Sequence, residues 1–151
     1  MSATQRLAEL GLALPAVAVP VADYVPAARC GQQIVTAGQL PFIEGHLQVT
    51  GHVGAEVDVE TAAGQARIAA LNAVAAAAAE AGGIDAIRAV VKIVVFVSSA
   101  PDFTGQAAVA NGASELLGQI FGEAGRHARS AVGVVSLPLA SPVEVELTVQ
   151  V

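Results

Sequence analysis

The sequence has no tryptophan, one tyrosine, one cysteine and only seven basic residues among 151, and each shortage closes a route. Cys30, being alone, can form neither an intramolecular disulfide nor a two-cysteine metal clip, so a reducing compartment is indicated and we expect the cytoplasm. With Tyr24 as the sole Tyr and no Trp there is little to stack a sugar, which disfavours a glycosidase even though Glu144 and Glu146 share one strand face about 7 Å apart. Lys and Arg are scattered from Arg6 to Arg129 against thirteen acidic residues, a net charge of −6. No stripe exists to neutralise a phosphate backbone, so no nucleic-acid partner is expected.

Long hydrophobic runs are also missing. The longest, residues 68–79, is interrupted by Asn72 and is shorter than the roughly 18 residues of a membrane-spanning helix. The stretch "LALPAVAVPVA" that follows Arg6 suggests a secretion signal, but Glu9, Pro15 and Pro20 break any continuous apolar core, and none is expected. No HExxH, CxxC, GxSxG, GxxxxGK or GxGxxG spacing occurs, and His46, His52 and His127 have no ligand spacing among them. Neither a metal nor a cofactor is expected.

What the chain does have is apolar material. Hydrophobic residues make up 54% of it and the mean hydropathy is +0.64. That exceeds what the interior of a monomer of this size needs and suggests a buried subunit interface, although part of the surplus is alanine. No linker or charge run divides the sequence, so residues 1–151 are read as a single domain, with an N-terminal extension over residues 1–22 that carries a short helix from about Thr4 to Leu10.

After Pro20 the pattern turns strand-like. Tyr24 to Cys30 and Gln33 to Ala37 read as an antiparallel pair about a Gly31 turn, with another short strand at His46 to Thr50. Asp58 is placed to cap a long helix with a broad alanine face, ended by Gly82 and Gly83. The β-branched run Val90 to Val97 predicts a central strand covered on both faces. Pro101 and Asp102 suit the start of a second long helix, whose apolar positions recur from Phe103 to Ile120. Strict alternation from Val143 to Val151 predicts a last strand with one core face and one polar face. The order β-β-(β)-α-β-α-β-β implies an α+β fold, one mixed β-sheet with two long helices packed on one face, and a second subunit is the natural cover for the other.

Arg129 is the most informative single residue. It opens the otherwise apolar strand "SAVGVV", and a guanidinium at the mouth of such a strand needs an anion. That anion is either Glu144 or Glu146 in a plain ion pair or a ligand carboxylate held bidentately.

The residues around Arg129 carry a resemblance. "ARSAVGVVSLP" followed by "VEVE" resembles the signature of the RidA (YjgF) reactive-intermediate deaminase family, an Arg-led strand, a Leu-Pro turn and a glutamate-bearing strand. In the same order, "YVPAARCGQQIVTAGQLP" resembles the family's Tyr-containing strand and SGQ-P turn, "KIVVFVSSAPDF" its central strand and "VANGASELL" its second helix. The match spans nearly everything after Asp23 and looks like a longer subgroup of the family. It implies a chorismate mutase-like homotrimer with sites in the clefts between subunits. The implied reaction is hydrolysis of 2-imino or enamino acids, of the 2-aminoacrylate or 2-iminobutyrate type, to 2-keto acids and ammonia without cofactor.

By motif, Arg129 resembles the arginine that grips the substrate carboxylate and Glu144 the acid that positions the attacking water. Tyr24, Gly38, Asn111 and Ala131 fall at pocket positions. Ala37 and Ala131 stand where the family has Ser and commonly Cys, which alters pocket polarity, and Arg126 and His127 are extra basic groups that are either surface residues or recognise a larger anion. Closeness of Glu144 to Arg129 would favour the charged carboxylate. The alternative to an enzyme is a non-catalytic trimer that binds a small carboxylate-bearing metabolite and regulates or stabilises. The sequence does not identify the substrate or any protein partner.

Overall fold

The computed structural model describes residues 1–151. Helix α1 (Ala3–Glu9) begins at Ser2, whose hydroxyl accepts from the Gln5 N–H while the Gln5 side chain caps the Ser2 N–H in return. This element belongs to the core: Leu7 is buried, and Asp85 accepts from both the backbone N–H and the hydroxyl of Thr4, at 3.0 and 2.8 Å.

Strands β1 (Ala27–Cys30) and β2 (Gln33–Thr36) form the expected hairpin, with Gly31 at φ +60° in its turn. The first strand is shorter than predicted. Tyr24 and Val25 lie outside it, because pairing starts only after Pro26, which has no N–H to donate. The expected strand at 46–50 is half of a small hairpin, β3 (Phe42–Ile43) with β4 (His46–Leu47).

Helix α2 (Val59–Ala81) starts where Asp58 accepts from the Thr61 N–H at 2.7 Å and ends at Gly82 in the left-handed region, φ +85°. Most of its alanines are buried, and they let α3 (Gln106–Phe121) approach until a methyl on Gly112 would overlap the Ala63 carbonyl. The start predicted for α3 is corrected. Pro101 and Asp102 form a turn in which the Phe103 N–H reaches the Ala100 carbonyl, and the helix begins only after Gly105. Phe103 therefore packs ahead of the helix, between Gly54 and Gly105.

Between the helices runs β5 (Ala89–Ser98), and β6 (Ala128–Val134) and β7 (Val143–Gln150) follow α3. The five-stranded sheet has the order β1-β2-β7-β5-β6, antiparallel except for the parallel pair β5 and β6. A parallel pair needs a crossover, and α3 supplies it. Ile34, Ile93, Val95, Val97, Val143, Val145, Leu147 and Val149 meet the helices in a cluster of 29 buried residues. This is the expected α+β arrangement, with α2 and α3 on one face. No helix is long and apolar enough to cross a membrane.

The other face of the sheet is uncovered in the single chain. It presents Val35 (44% exposed) and Val132 (41%) beside the half-buried Val94, Phe96, Glu144 and Glu146.

Candidate functional site

The six residues singled out in the sequence fall into two groups of three. Arg129, Asn111 and Ala131 form one. Arg129 is in register with Ile93 and Ala131 with Val95, both core residues, so Arg129 and Ala131 lean toward the helix layer. There the Arg129 Nη1 donates to Asn111 Oδ1 at 2.8 Å and to Ser114 Oγ at 3.2 Å. Asn111 and Ser114 are one helical turn apart on α3 and so share a face. Because Arg has only donors, the Asn111 carbonyl oxygen is the atom turned toward it, and the amide NH₂ is left without a partner in the chain.

The second group is Tyr24, Gly38 and Glu144. Glu144 and Glu146 alternate with the buried Val143, Val145 and Leu147 and so leave β7 on the uncovered face. Gly38 lies directly against Glu144, and a methyl group on Gly38 would occupy the place of the carboxylate Oε1. The loop is held there from two sides. Gln39 exchanges backbone hydrogen bonds with Val145 at 2.8 and 3.0 Å, and Asn72 of α2 donates to the carbonyls of Leu40 and Phe42 at 2.9 and 3.0 Å. Tyr24, half exposed, precedes β1 at the end where the Ala37 N–H reaches the Pro26 carbonyl, beside Gly38.

Arg129 and Glu144 do not meet within a chain. Counting through β5, Arg129 is level with Ile93 and Glu144 with Phe96, which sets their Cα atoms two strands across and three residues along, roughly 14 Å. Their side chains also leave opposite faces. The plain intramolecular ion pair considered from sequence does not form; Arg126 pairs instead with Glu123, and Glu56 has His52 beside it. Within one chain Arg129 is therefore too far away to favour a charged Glu144. Burial, and then the like charge of Glu146, push the Glu144 carboxyl above its ordinary range. A carboxyl so placed can give as well as take a proton nearer neutral pH.

Sequence reasoning missed Ser114 and the tether of Asn72. Spacing could have found Ser114, since it lies three residues after Asn111. Arg126 is a surface residue beside Glu123, whereas the half-buried His127 is hydrogen-bonded to Ser114 at 3.0 Å. A cavity of about 570 Å³ with a mostly apolar lining lies apart from both groups, between residues 15–18, 42–45 and α2.

Residues 4–151 match the family model described as "YjgF/chorismate mutase-like, putative endoribonuclease". The chain belongs to the YjgF (RidA) family. The chain is similar to Protein TCP17 of Trypanosoma cruzi, 44% identical over 146 residues, which are 96% of this chain and 91% of that protein. Two solved structures are similar over nearly the full length. An Agrobacterium tumefaciens protein of unknown function is 43% identical, with TM-score 0.90 over 99% of this chain and 92% of that one. A Shewanella oneidensis MR-1 structure bearing the endoribonuclease name is 32% identical, with TM-score 0.96 and complete coverage of both chains. The YjgF and RidA signature read in the sequence and the YjgF/chorismate mutase-like fold thus agree.

Proposed function

We propose that the protein hydrolyses 2-imino and enamino acids to 2-keto acids and ammonia in sites shared between chains of a homotrimer. The observation that carries the reading is Arg129: its guanidinium is anchored to α3 through one nitrogen and has no carboxylate partner in its own chain. The apolar, uncovered sheet face beside Glu144 supports a covering subunit. Arg129, Asn111 and Ala131 of one chain then face Tyr24, Gly38 and Glu144 of its neighbour. The E. coli TdcF structure, 22% identical to this chain and alike in fold, has serine bound, which supports a small carboxylate-bearing ligand.

In this reading Arg129 fixes the substrate carboxylate, so the imine carbon, already electrophilic, is presented in one orientation. Glu144 takes a proton from water as the oxygen adds to that carbon and passes it to the nitrogen, giving a carbinolamine; it then takes the remaining hydroxyl proton and gives it to the same nitrogen as the C=O bond forms, the C–N bond breaks and ammonia leaves. The endoribonuclease name of the family fits this chain poorly, given its −6 charge and scattered basic residues.

The test is release of ammonia and 2-ketobutyrate from 2-iminobutyrate generated in situ by a threonine dehydratase. Wild type should accelerate release and Arg129→Ala should not. Unfolding and reassembling Arg129→Ala together with Glu144→Gln should restore activity, since about a quarter of all interfaces in a random equal mixture regain both intact groups. Carboxylate binding without acceleration would favour the non-catalytic alternative, and no restoration on mixing would refute the shared site.

A further inference from the structure

The hydrogen bonds behind Arg129 run in one direction. The Gly125 carbonyl can only accept, and it lies 2.5 Å from His127 Nδ1, so that nitrogen carries the hydrogen. In the neutral ring Nε2 is then an acceptor, and the Ser114 hydroxyl 3.0 Å away donates to it. With its hydrogen committed to His127, the Ser114 oxygen turns a lone pair to Arg129 Nη1 at 3.2 Å. The starting point is itself fixed. Gly125 is buried in the turn after α3, so close to that helix that a methyl group there would overlap the Leu117 carbonyl.

The consequence lies in what Arg129 has left. Both hydrogens of Nη1 are taken, by Asn111 Oδ1 and Ser114 Oγ. Three N–H groups remain, one on Nε and two on Nη2, and the parallel pair along the Nε–Nη2 edge matches the two oxygens of a carboxylate.

We propose that Ser114 and His127 are positioning residues which hold Arg129 by Nη1 so that a ligand carboxylate is taken on the Nε–Nη2 edge. This rests on reading Arg129 as the carboxylate clamp. Neither residue touches substrate; His127 acts through Ser114, and Ser114 through the guanidinium.

The experiment uses the full-length assembly and two readouts. The first is the dissociation constant of 2-ketobutyrate by calorimetry, with KM and kcat for 2-iminobutyrate hydrolysis. Ser114→Ala, a favourable helix residue that should fold, is expected to weaken 2-ketobutyrate about tenfold, the loss of about one charge-assisted hydrogen bond, and to raise KM while kcat stays within about twofold. Ser114→Thr keeps the hydroxyl and should restore affinity. His127→Ala should weaken binding too, and the double alanine variant should be no worse than Ser114→Ala. Wild-type affinity in Ser114→Ala overturns the proposal, as do additive losses in the double variant.

The second readout needs no ligand. Rotation about the Arg129 Cζ–Nη1 bond, followed by nitrogen-15 NMR of the guanidinium, should be slow in wild type and fast in Ser114→Ala. If wild type binds no 2-keto acid, the functional reading fails, while the rotation rates still decide whether Ser114 holds Arg129: equal rates overturn the positioning role.

Discussion

Gly38→Ala should separate catalysis from folding. The added methyl falls where the Glu144 Oε1 now lies, and Gly38 is not among the glycines with positive φ, so alanine is acceptable to the backbone. What must give way is the far end of a flexible side chain. Folding should therefore change by less than about 1 kcal/mol, since the loss of the half-buried carboxyl's place is offset by the lower chain entropy of unfolded alanine. Hydrolysis is different. A positioned general acid and base contributes about 10²–10⁴-fold, so displacing Glu144 should cost at least about 10²-fold in kcat, near 3 kcal/mol of barrier. Steady-state release of 2-ketobutyrate, beside thermal unfolding of the same samples, measures both quantities. The double variant Gly38→Ala with Glu144→Gln should be no slower than Glu144→Gln alone, because both changes remove one group. Normal turnover in Gly38→Ala, or additive losses in the pair, would refute the placing of Glu144 in the reaction.

Two further outcomes concern stability. Since folding raises the Glu144 pKa, the folded protein holds that proton more tightly than the unfolded chain. The stability this lends is fully present below the ordinary carboxylate range near 4.5 and is lost as pH rises toward the raised value. Glu144→Gln should flatten the part of the Tm profile that lies just above the ordinary carboxylate range, and an unchanged slope there would count against the burial argument. On α3, Gly118 has open space around a would-be methyl whereas Gly112 faces the Ala63 carbonyl. Gly118→Ala should stabilise by about 0.5–1 kcal/mol and raise Tm by a few degrees, roughly 2–4 °C per kcal/mol. Gly112→Ala should lower Tm, because overpacking costs about 1–3 kcal/mol; equal gains from both would show that the helices are not in contact at Gly112.

Strong local patterns carried the fold. The alternation of Val143 to Val151 marked β7, the run Val90 to Val97 marked β5, and Asp58 with Gly82 bounded α2, because each signal acts on the backbone that displays it. Failures came where two local signals competed. Pro101 and Asp102 serve a turn as readily as a helix start, and Gly105 delays the helix to Gln106. The site was less legible for a deeper reason. Arg129 and Glu144 were visible as chemistry, but the faces they leave depend on strand order and register, with β5 inserted between β6 and β7. No spacing along the chain encodes that. Ser114 was hidden among helix residues and became meaningful only once β6 lay beside α3.

The first fourteen residues can be seen again in this light. Leu7 is buried, Leu12 and Leu14 pack against the core, and the Thr4 pair on Asp85 fastens α1 across the turn that follows α2. They act as a strap over the closed end of the helix layer. Cutting the strap would uncover the apolar core side chains on which Leu7, Leu12 and Leu14 now pack. The segment that looked like an appendage in the sequence is thus part of the core, which cannot shed it without exposing apolar surface.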